Sequence, residues 1–557
     1  MPRTLYFYIL KETLKLLLIA ATVLVVLIST AAAIKPLTDG LLAPASMMKF
    51  VLYTAPTMLQ FALPFAAAFA TTLFFSRMVS DNEVTACSAS GMSYFTILFP
   101  ILALGVALLF GLYGFSNHVV PRFNQAAASM VERDLIRMLV TEIQRGQSKK
   151  IGKLLVYADD AEERDPTEAE KAALRQQGST LEPYRVIMLN KVAVSALGDA
   201  GQTRKEATSQ RANIFLYQDG SSKLASFYLE QPVIYDPVSN DLFQSRDLTF
   251  VQRIESPLSD KPQFLSSTAL AELRGNMERS DAVRREKDEL VRLLARENLL
   301  RHIEAQLGAG KAVVLLDPTD DRYLIAPAVV KRTGRGLELT GIDGGLVQIE
   351  ARHGREVYRK ITSPQVVITS RQDEFALEPR AVIELHQAQV RDPRVERRGE
   401  ARPAEHVKLD LPPMHWPNTI VGGLAAMPGG ALLALARSEY AQDRGVQQGA
   451  ARFSGVLDHL RRDILAQVHQ RASSAFTCMF VLLLGALLPM VLRHKPALVV
   501  YFWSFLLTLG VVIINQSGQT MCNNLDYNQY WGVTIIWAGN LLLIAAIVMG
   551  YMKVVRN

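Results

Sequence analysis

The sequence predicts an α-helical membrane protein whose six spanning helices, three before and three after, flank one large β-rich soluble block. Three observations carry that expectation. Six apolar runs approach the length a bilayer demands, both ends of the chain are nearly free of charge, and short β-type runs are confined to the middle.

A hydrocarbon core of ~30 Å needs about 20 apolar residues of helix. Residues 14–34, 50–75, 94–115, 474–492, 497–514 and 531–552 meet that need. Residues 1–120 and 472–557 together hold ten Lys/Arg and five Asp/Glu, whereas 121–471 hold fifty and forty-eight. The chain therefore divides into membrane, soluble and membrane parts at those boundaries, and its net charge of +7 over 557 residues hides the division. Ala31-Ala32-Ala33 has the look of a cleavage site, but the apolar run before it is too long for a signal peptide and five more follow. Ile420–Ala436 competes as a seventh span. Met427-Pro428-Gly429-Gly430 breaks its middle, and broken backbone facing lipid leaves peptide groups unsatisfied, so it reads as soluble or interfacial.

Orientation follows from the cations flanking short loops. With the N-terminus inside, Arg3, Lys11, Lys15, Arg77, Arg493, Lys495, Lys553 and Arg556 are cytoplasmic, against Lys35 and Lys49 outside. The large middle then lies beyond the cytoplasmic membrane, and residues 76–93 lie in the cytoplasm.

Within the middle, 123–147 reads as a helix leaving the membrane and 447–471 as one leading back. Between them come "YRVIML", "NIFLYQDG", "SKLASFYLEQPVIYD" and "DLTFVQRI", punctuated by Asp-Gly and Asp-Pro as hairpins require. A second set from 323 includes "YLIAPAVV", "GLELTG", "LVQIEA", "PQVVITS", "AVIELHQ" and "VKLDL". In "VQIEA", Val347, Ile349 and Ala351 share one face, the mark of a half-buried strand. The two sets are halves of one sandwich or two stacked units. A charged helix at about 267–307 separates them, with Leu290, Leu294, Ile303 and Leu307 near one stripe, and it reads as a helix packed on the β-rich part.

No catalytic or metal site emerges. "LGAGKAVV" (307–314) lacks the first glycine and the final Ser/Thr of a phosphate loop and reads as a glycine turn ending a helix. The histidines show no metal spacing, and Asp159-Asp160 and Asp320-Asp321 fall in hydrophilic loops. Cys87, Cys478 and Cys522 give neither a disulfide framework nor zinc spacing; free thiols are expected, with a Cys478–Cys522 pair left open. No basic stripe with interleaved aromatics points to nucleic acid.

One short stretch stands apart. "SRMVSDNEVTACSASGMS" (76–93) is a small polar island between two apolar runs. Ser80-Asp81-Asn82-Glu83 has the form of a capping box, Asp81 and Glu83 suit the positive end of a helix, Gly91 suits a left-handed stop, and Ser93 can cap the third span. A helix of about ten residues is expected over 80–91. Ala86, Cys87, Ala89 and Ser90 would leave its surface low enough for another protein to approach.

The longer stretch "TAPTMLQFALPFAAAFATTLFFSRMVSDNEVTACSASGMS" (54–93) resembles the signature of the lipopolysaccharide-export ABC permease family, the LptF/LptG type. Pro56 and Pro64 match its paired prolines, and 80–91 match its small cytoplasmic helix. "HVVPRFNQ" (118–125), "VHQRAS" (468–473) and "WAGN" (537–540) agree further, although Gly539 replaces a proline. The resemblance implies a jellyroll-like periplasmic domain, here enlarged, and a lipopolysaccharide or related glycolipid drawn from the outer leaflet of the inner membrane. It implies a sister permease, two copies of a separate cytoplasmic ATPase docked on 80–91 through Ser80, Asp81, Glu83, Ala86 and Gly91, and a periplasmic jellyroll bridge protein. It also implies that the permease itself is no enzyme and carries no cofactor. An anionic headgroup would then meet Lys35, Lys49 and Arg122 near the outer interface, and spans one and five would line the acyl cavity. The competing expectation is a membrane-anchored periplasmic scaffold or sensor without a motor.

Overall fold

The computed structural model describes residues 3–38, 47–144, 148–151, 154–176, 182–197, 203–219, 222–236, 241–244, 247–254, 261–317, 321–334, 336–354, 356–371, 378–391, 393, 404–493 and 495–556. Helix α1 (Arg3–Thr38), α2 (Met47–Ser80), the small α3 (Glu83–Ala89) and α4 (Tyr94–Gln144) come first. The β-rich region follows with α5 (Glu168–Gln176), α6 (Ser267–Gly275), α7 (Asp281–Gly308), α8 (Val421–Ala425) and α9 (Gly429–Ser438). Helices α10 (Arg444–Val491), α11 (Ala497–Asn523) and α12 (Gln529–Arg556) close the chain. Six of these, α1, α2, α4, α10, α11 and α12, are long and apolar enough to cross a membrane.

Helices α2 and α10 form the centre of the bundle and are largely buried, whereas α1, α11 and α12 turn apolar side chains outward. Small residues set the central spacing. A Cβ on Gly485 would fall 2.2 Å from Thr71 Oγ1 and 3.2 Å from the Ala68 carbonyl, so α2 and α10 meet nearly backbone to backbone. Helices α11 and α12 do the same at Gly518 and Gly532, where a Cβ on Gly532 would meet the Cys522 backbone at 2.5 Å. Close backbone approach through small residues is how helices associate where lipid removes the hydrophobic drive.

The described strands form two sheets. The first is built on β4 (Pro183–Leu197), β5 (Thr203–Asp219), β6 (Ser222–Glu230) and β9 (Asp247–Ile254), paired antiparallel in that order. Short strands β1 (Lys149–Ile151), β2 (Leu154–Tyr157) and β3 (Asp160–Arg164) join at β4, while β7 (Val233–Asp236) and β8 (Asp241–Gln244) branch from β5. Asp219 pairs with Ser222 across the hairpin that Asp-Gly marks, and Asp236 ends β7 where Asp-Pro breaks it.

The second sheet comprises β10 (Val313–Leu316), β11 (Arg322–Ile325), β12 (Val329–Thr333), β13 (Gly336–Thr340), β14 (Val347–His353), β15 (Glu356–Ser363), β16 (Gln365–Arg371), β17 (Arg380–Arg391), β18 (Ala404–Asp410) and β19 (Met414–His415). Its pairings close a ring, β17-β15-β14-β11-β10-β19 and back to β17, so this sheet is a barrel. Val347, Ile349 and Ala351 point into its core as their alternation requires. Each sheet has its own buried cluster, so the two β-rich sets are two units and not halves of one sandwich.

Long helices carry both units. Ile143, at the far end of α4, lies in the core of the first sheet, and Gln144 Nε2 donates to the Ala161 carbonyl at 2.6 Å. Phe453, Leu460 and Ile464 of α10 belong to the core of the second unit. So do Leu290, Leu294, Ile303 and Leu307 of α7, the stripe expected from the sequence. Helix α7 ends at a glycine turn with Gly310 at φ +71°, and Lys311 N–H returns to the Gln306 carbonyl. Ile420–Ala436 is no span: it forms α8 and part of α9, separated at Met427-Pro428, with Leu424 and Leu432 in the same core.

The glycine contacts make a prediction. Gly532→Ala should destabilise the α11–α12 pair by about 1–3 kcal/mol, because overpacked backbone cannot yield as a side chain can. Gly510→Ala, where an added Cβ meets nothing within 4 Å, should leave thermal unfolding of the purified protein unchanged. Equal melting temperatures for both variants would contradict this packing.

Candidate functional site

The polar island between the second and third spans folds differently from the capping box its sequence suggests. Helix α2 continues through Ser80, so Ser80 has helical backbone and cannot serve as an N-cap, which requires an extended one. The N-cap is Asn82, at φ 59° and ψ 15°, with no side-chain capping bond. Helix α3 is correspondingly shorter than the expected 80–91, spanning Glu83–Ala89. The same pattern does form a box at Thr167-x-x-Glu170, where Thr167 lies outside helix: its N–H donates to Glu170 at 2.9 Å and its hydroxyl at 2.8 Å. The Arg164 guanidinium, together with Thr167, holds the Glu170 carboxyl down at about 2. The four-residue pattern thus needs a chain that has already left the preceding helix.

The C-terminal half of the island behaves as its residues suggest. Gly91 adopts φ +86°, its N–H returns to the Ser88 carbonyl, and Met92 N–H reaches Cys87. Those two bonds form a Schellman stop. Ser93 accepts from Thr96 N–H at 3.2 Å and starts α4. Val84 is buried in the bundle core and the half-buried Cys87 packs against it, so these two residues anchor α3. Thr85, Ala86, Ala89 and Ser90 are exposed, Glu83 is half-buried, and Ser80 and Asp81 are exposed beside them. Arg77 approaches Asp81 at 3.6 Å in full view of solvent, a contact of little energetic value. The outcome is a low platform with few side chains rising from it.

A second constellation links the distant motifs. Thr57, in the 54–93 stretch, donates to Asn124 Oδ1 of "HVVPRFNQ" at 2.5 Å. Arg471 of "VHQRAS" is buried, and its Nη1 donates to Asn117 Oδ1 at 3.1 Å. Trp537 of "WAGN" donates to His469 Nδ1 at 3.4 Å, and Asn540 Nδ2 donates to the Ser473 hydroxyl at 2.8 Å. Thr477 and Asn515 complete the knot, the first donating to Asn540 Oδ1 and the second to Ser473 Oγ. At Gly539, where the resembled pattern has proline, an added Cβ would fall 2.8 Å from Val511 Cγ1 and 3.3 Å from the Val511 carbonyl.

Arg471 also reaches out of the bundle. Its Nη2 faces the carbonyls of Pro262, Gln263 and Leu265, the last at 2.6 Å. That segment opens the second β-rich unit, just before α6. One guanidinium therefore ties α10 and α4 to the start of a soluble unit. The motif "VHQRAS" alone assigns Arg471 no role; the signal in the sequence is an arginine placed directly before an apolar span.

Lys35, Lys49 and Arg122 are all exposed, and none makes an ion pair with another described residue. Ala33, Phe50 and Ala127 pack into one small cluster, which brings the ends of α1 and α2 that carry Lys35 and Lys49 against the stretch of α4 just after Arg122. The three cysteines are free; Cys478 and Cys522 are buried apart from any disulfide. Among the described residues no group of His, Cys, Asp or Glu could hold a metal ion.

Removal of the guanidinium tests the tie. Arg471→Met should release the 261–266 segment to proteolysis while the six helices still insert, and Arg471→Lys should not restore protection, since an ammonium cannot fork to several carbonyls at once. Unchanged cleavage in Arg471→Met would show the contacts to be incidental.

Comparison with known proteins bears on the same residues. No curated protein matches the chain. The family model described as Lipopolysaccharide export system permease LptF/LptG matches residues 7–195, from α1 through α4 and into β4. The matched stretch contains the platform and the first two of the linked motifs, and over it the chain is similar to the LptF/LptG permease family.

Proposed function

We propose that the protein is a permease subunit of an ABC transporter that extracts lipopolysaccharide, or a related glycolipid, from the outer leaflet of the inner membrane and passes it to a periplasmic bridge protein. The observation that carries this reading is the platform at 80–91, set at the end of α4 opposite the β-rich units, within the stretch that the permease-family model matches. In this account the termini and residues 80–91 are cytoplasmic, as eight flanking cations against two favour. The parts 1–120 and 472–557 cross the membrane, and 121–471 lie in the periplasm.

Two copies of an ATPase supply the energy, one gripping Ser80, Asp81, Glu83, Ala86 and Gly91 of this chain and one gripping a sister permease. Exposed Ala86 and Ala89 let that surface seat close to the α3 backbone, and Val84 passes the displacement into α2 and α4. The apolar outer faces of α1 and α11, both packed on α2, suit an acyl-chain cavity closed by the sister subunit. Lys35, Lys49 and Arg122 meet the anionic headgroup at the outer interface. The first sheet serves as the jellyroll-like unit that receives the lipid; the barrel is the enlargement.

The experiment is purification from native membranes in the presence and absence of Glu83→Lys. The wild-type chain should bring down an ATPase and a second permease. Glu83→Lys should insert normally yet lose the ATPase, and lipopolysaccharide release should fall by at least about tenfold, the effect of a buried-rim charge reversal worth ~1.4 kcal/mol or more. Wild-type transport in that variant, or a chain that never carries an ATPase, would favour the motor-free scaffold.

A further inference from the structure

A cavity of about 510 Å³ opens in the second β-rich unit, away from the platform, the polar knot and the spans. Its volume lies in the range of small-molecule sites. One wall is a stripe of α7: Asn298, His302 and Gln306 recur every four residues, about 6 Å apart along the helix. The opposite wall is the loop after β19, with Trp416, Asn418 and Thr419, and Val314 and Ile420 contribute apolar surface. We infer that this cavity binds a neutral saccharide.

The chemistry of the walls selects that class. The half-buried Trp416 ring packs on the core and is met edge-on by His302, with ring centroids 5.8 Å apart, so an aromatic plate is fixed at the cavity. Such a plate offers its face to the C–H surface of a pyranose. The side chains of Asn298, Gln306, Asn418 and Thr419 make no hydrogen bond with other described residues, which leaves amide donors, amide acceptors and a hydroxyl to meet sugar hydroxyls. No Lys, Arg, Asp or Glu is among the lining residues, so a phosphate has no cation to meet, and the amides make a poor lining for an acyl chain. The loop is also held in place: the Glu378 carboxylate accepts from the Ile420 and Val421 amides at 3.1 and 3.3 Å. The site is therefore built before a ligand arrives, which lowers the ordering cost of binding.

Such a saccharide reaches the cavity either as the neutral part of a glycolipid or as a free oligosaccharide, and the assignment stands whether or not the chain transports lipid. The test uses the full chain in phospholipid nanodiscs, which contain no sugar detergent, with calorimetric titration of three probes. These are the neutral oligosaccharide released from smooth lipopolysaccharide by mild acid, intact smooth lipopolysaccharide, and deep-rough lipopolysaccharide lacking the neutral sugars. At least one of the first two should bind, weaken by about tenfold in Trp416→Ala and by about threefold in Asn298→Ala or Gln306→Ala, and recover in Trp416→Tyr. Binding of the free oligosaccharide identifies a soluble source, and binding of the smooth glycolipid alone identifies a lipid-linked one. The variants Asn298→Ala and Gln306→Ala, at half-buried positions outside the buried core, guard against misfolding at Trp416. Absence of binding by both sugar-bearing probes, unchanged affinity in all three alanine variants, or Trp416-dependent binding of the deep-rough form would overturn the assignment.

Discussion

Two helices outrun the membrane, and the arrangement of everything else follows from that. At 1.5 Å per residue, α4 with its 51 residues is about 76 Å long and α10 with 48 is about 72 Å, against a hydrocarbon core of ~30 Å. Neither is interrupted where it leaves the apolar stretch. Apart from the missing N–H at Pro100 and Pro121 of α4 and Pro489 of α10, the helical backbone runs on from the bundle into the soluble units, so a helix joins each unit to the bundle. Helix α4 delivers the first sheet and α10 the second. The platform of α3 sits at the opposite end of α4. A displacement of that end has a mechanical path to the far side that involves no flexible linker.

The bundle is joined by two kinds of contact with different consequences. Glycine contacts such as Gly485 of α10 against α2 and Gly532 of α12 against α11 hold pairs of helices at fixed separation. Hydrogen bonds among Ser473, Thr477, Asn515 and Asn540 hold α10, α11 and α12 together in a region where an unpaired amide is costly. Arg471 differs from both because it looks outward to peptide carbonyls of the soluble part. It stands where the chain passes from the first β-rich unit to the second and fixes that crossing against α4 and α10. Arg471 thereby adds a second tie between the bundle and the barrel's unit to the one that α10 itself provides.

Much of this was legible in the chain because single-residue chemistry dictated it. Apolar runs marked the six spans to within their extensions, the Leu290, Leu294, Ile303 and Leu307 stripe marked a packed helix, and Val347, Ile349 and Ala351 marked a strand. Gly91 and Ser93 carried their roles because a left-handed stop and a hydroxyl cap are local demands. Ser80 did not, since whether it caps depends on where α2 ends, and that is decided by packing along the whole helix. The short strands β1–β3 have too few residues to show alternation and form by pairing with β4. Likewise, separate cores for the two β-rich sets depend on long-range closure of β19 onto β17, which no local pattern records. The motif-linking bonds of Arg471, His469 and Asn540 join residues more than sixty positions apart and became visible only in three dimensions.

The central claim is that α4 crosses the membrane with α3 at its cytoplasmic end and the β-rich units at the other. The native thiols provide the probe: Cys87 of α3 is partly exposed while Cys478 and Cys522 are buried. A membrane-impermeant maleimide applied to sealed inside-out vesicles should label Cys87, and the same reagent applied to intact spheroplasts should not. Labelling of Cys87 from the periplasmic face would contradict the account.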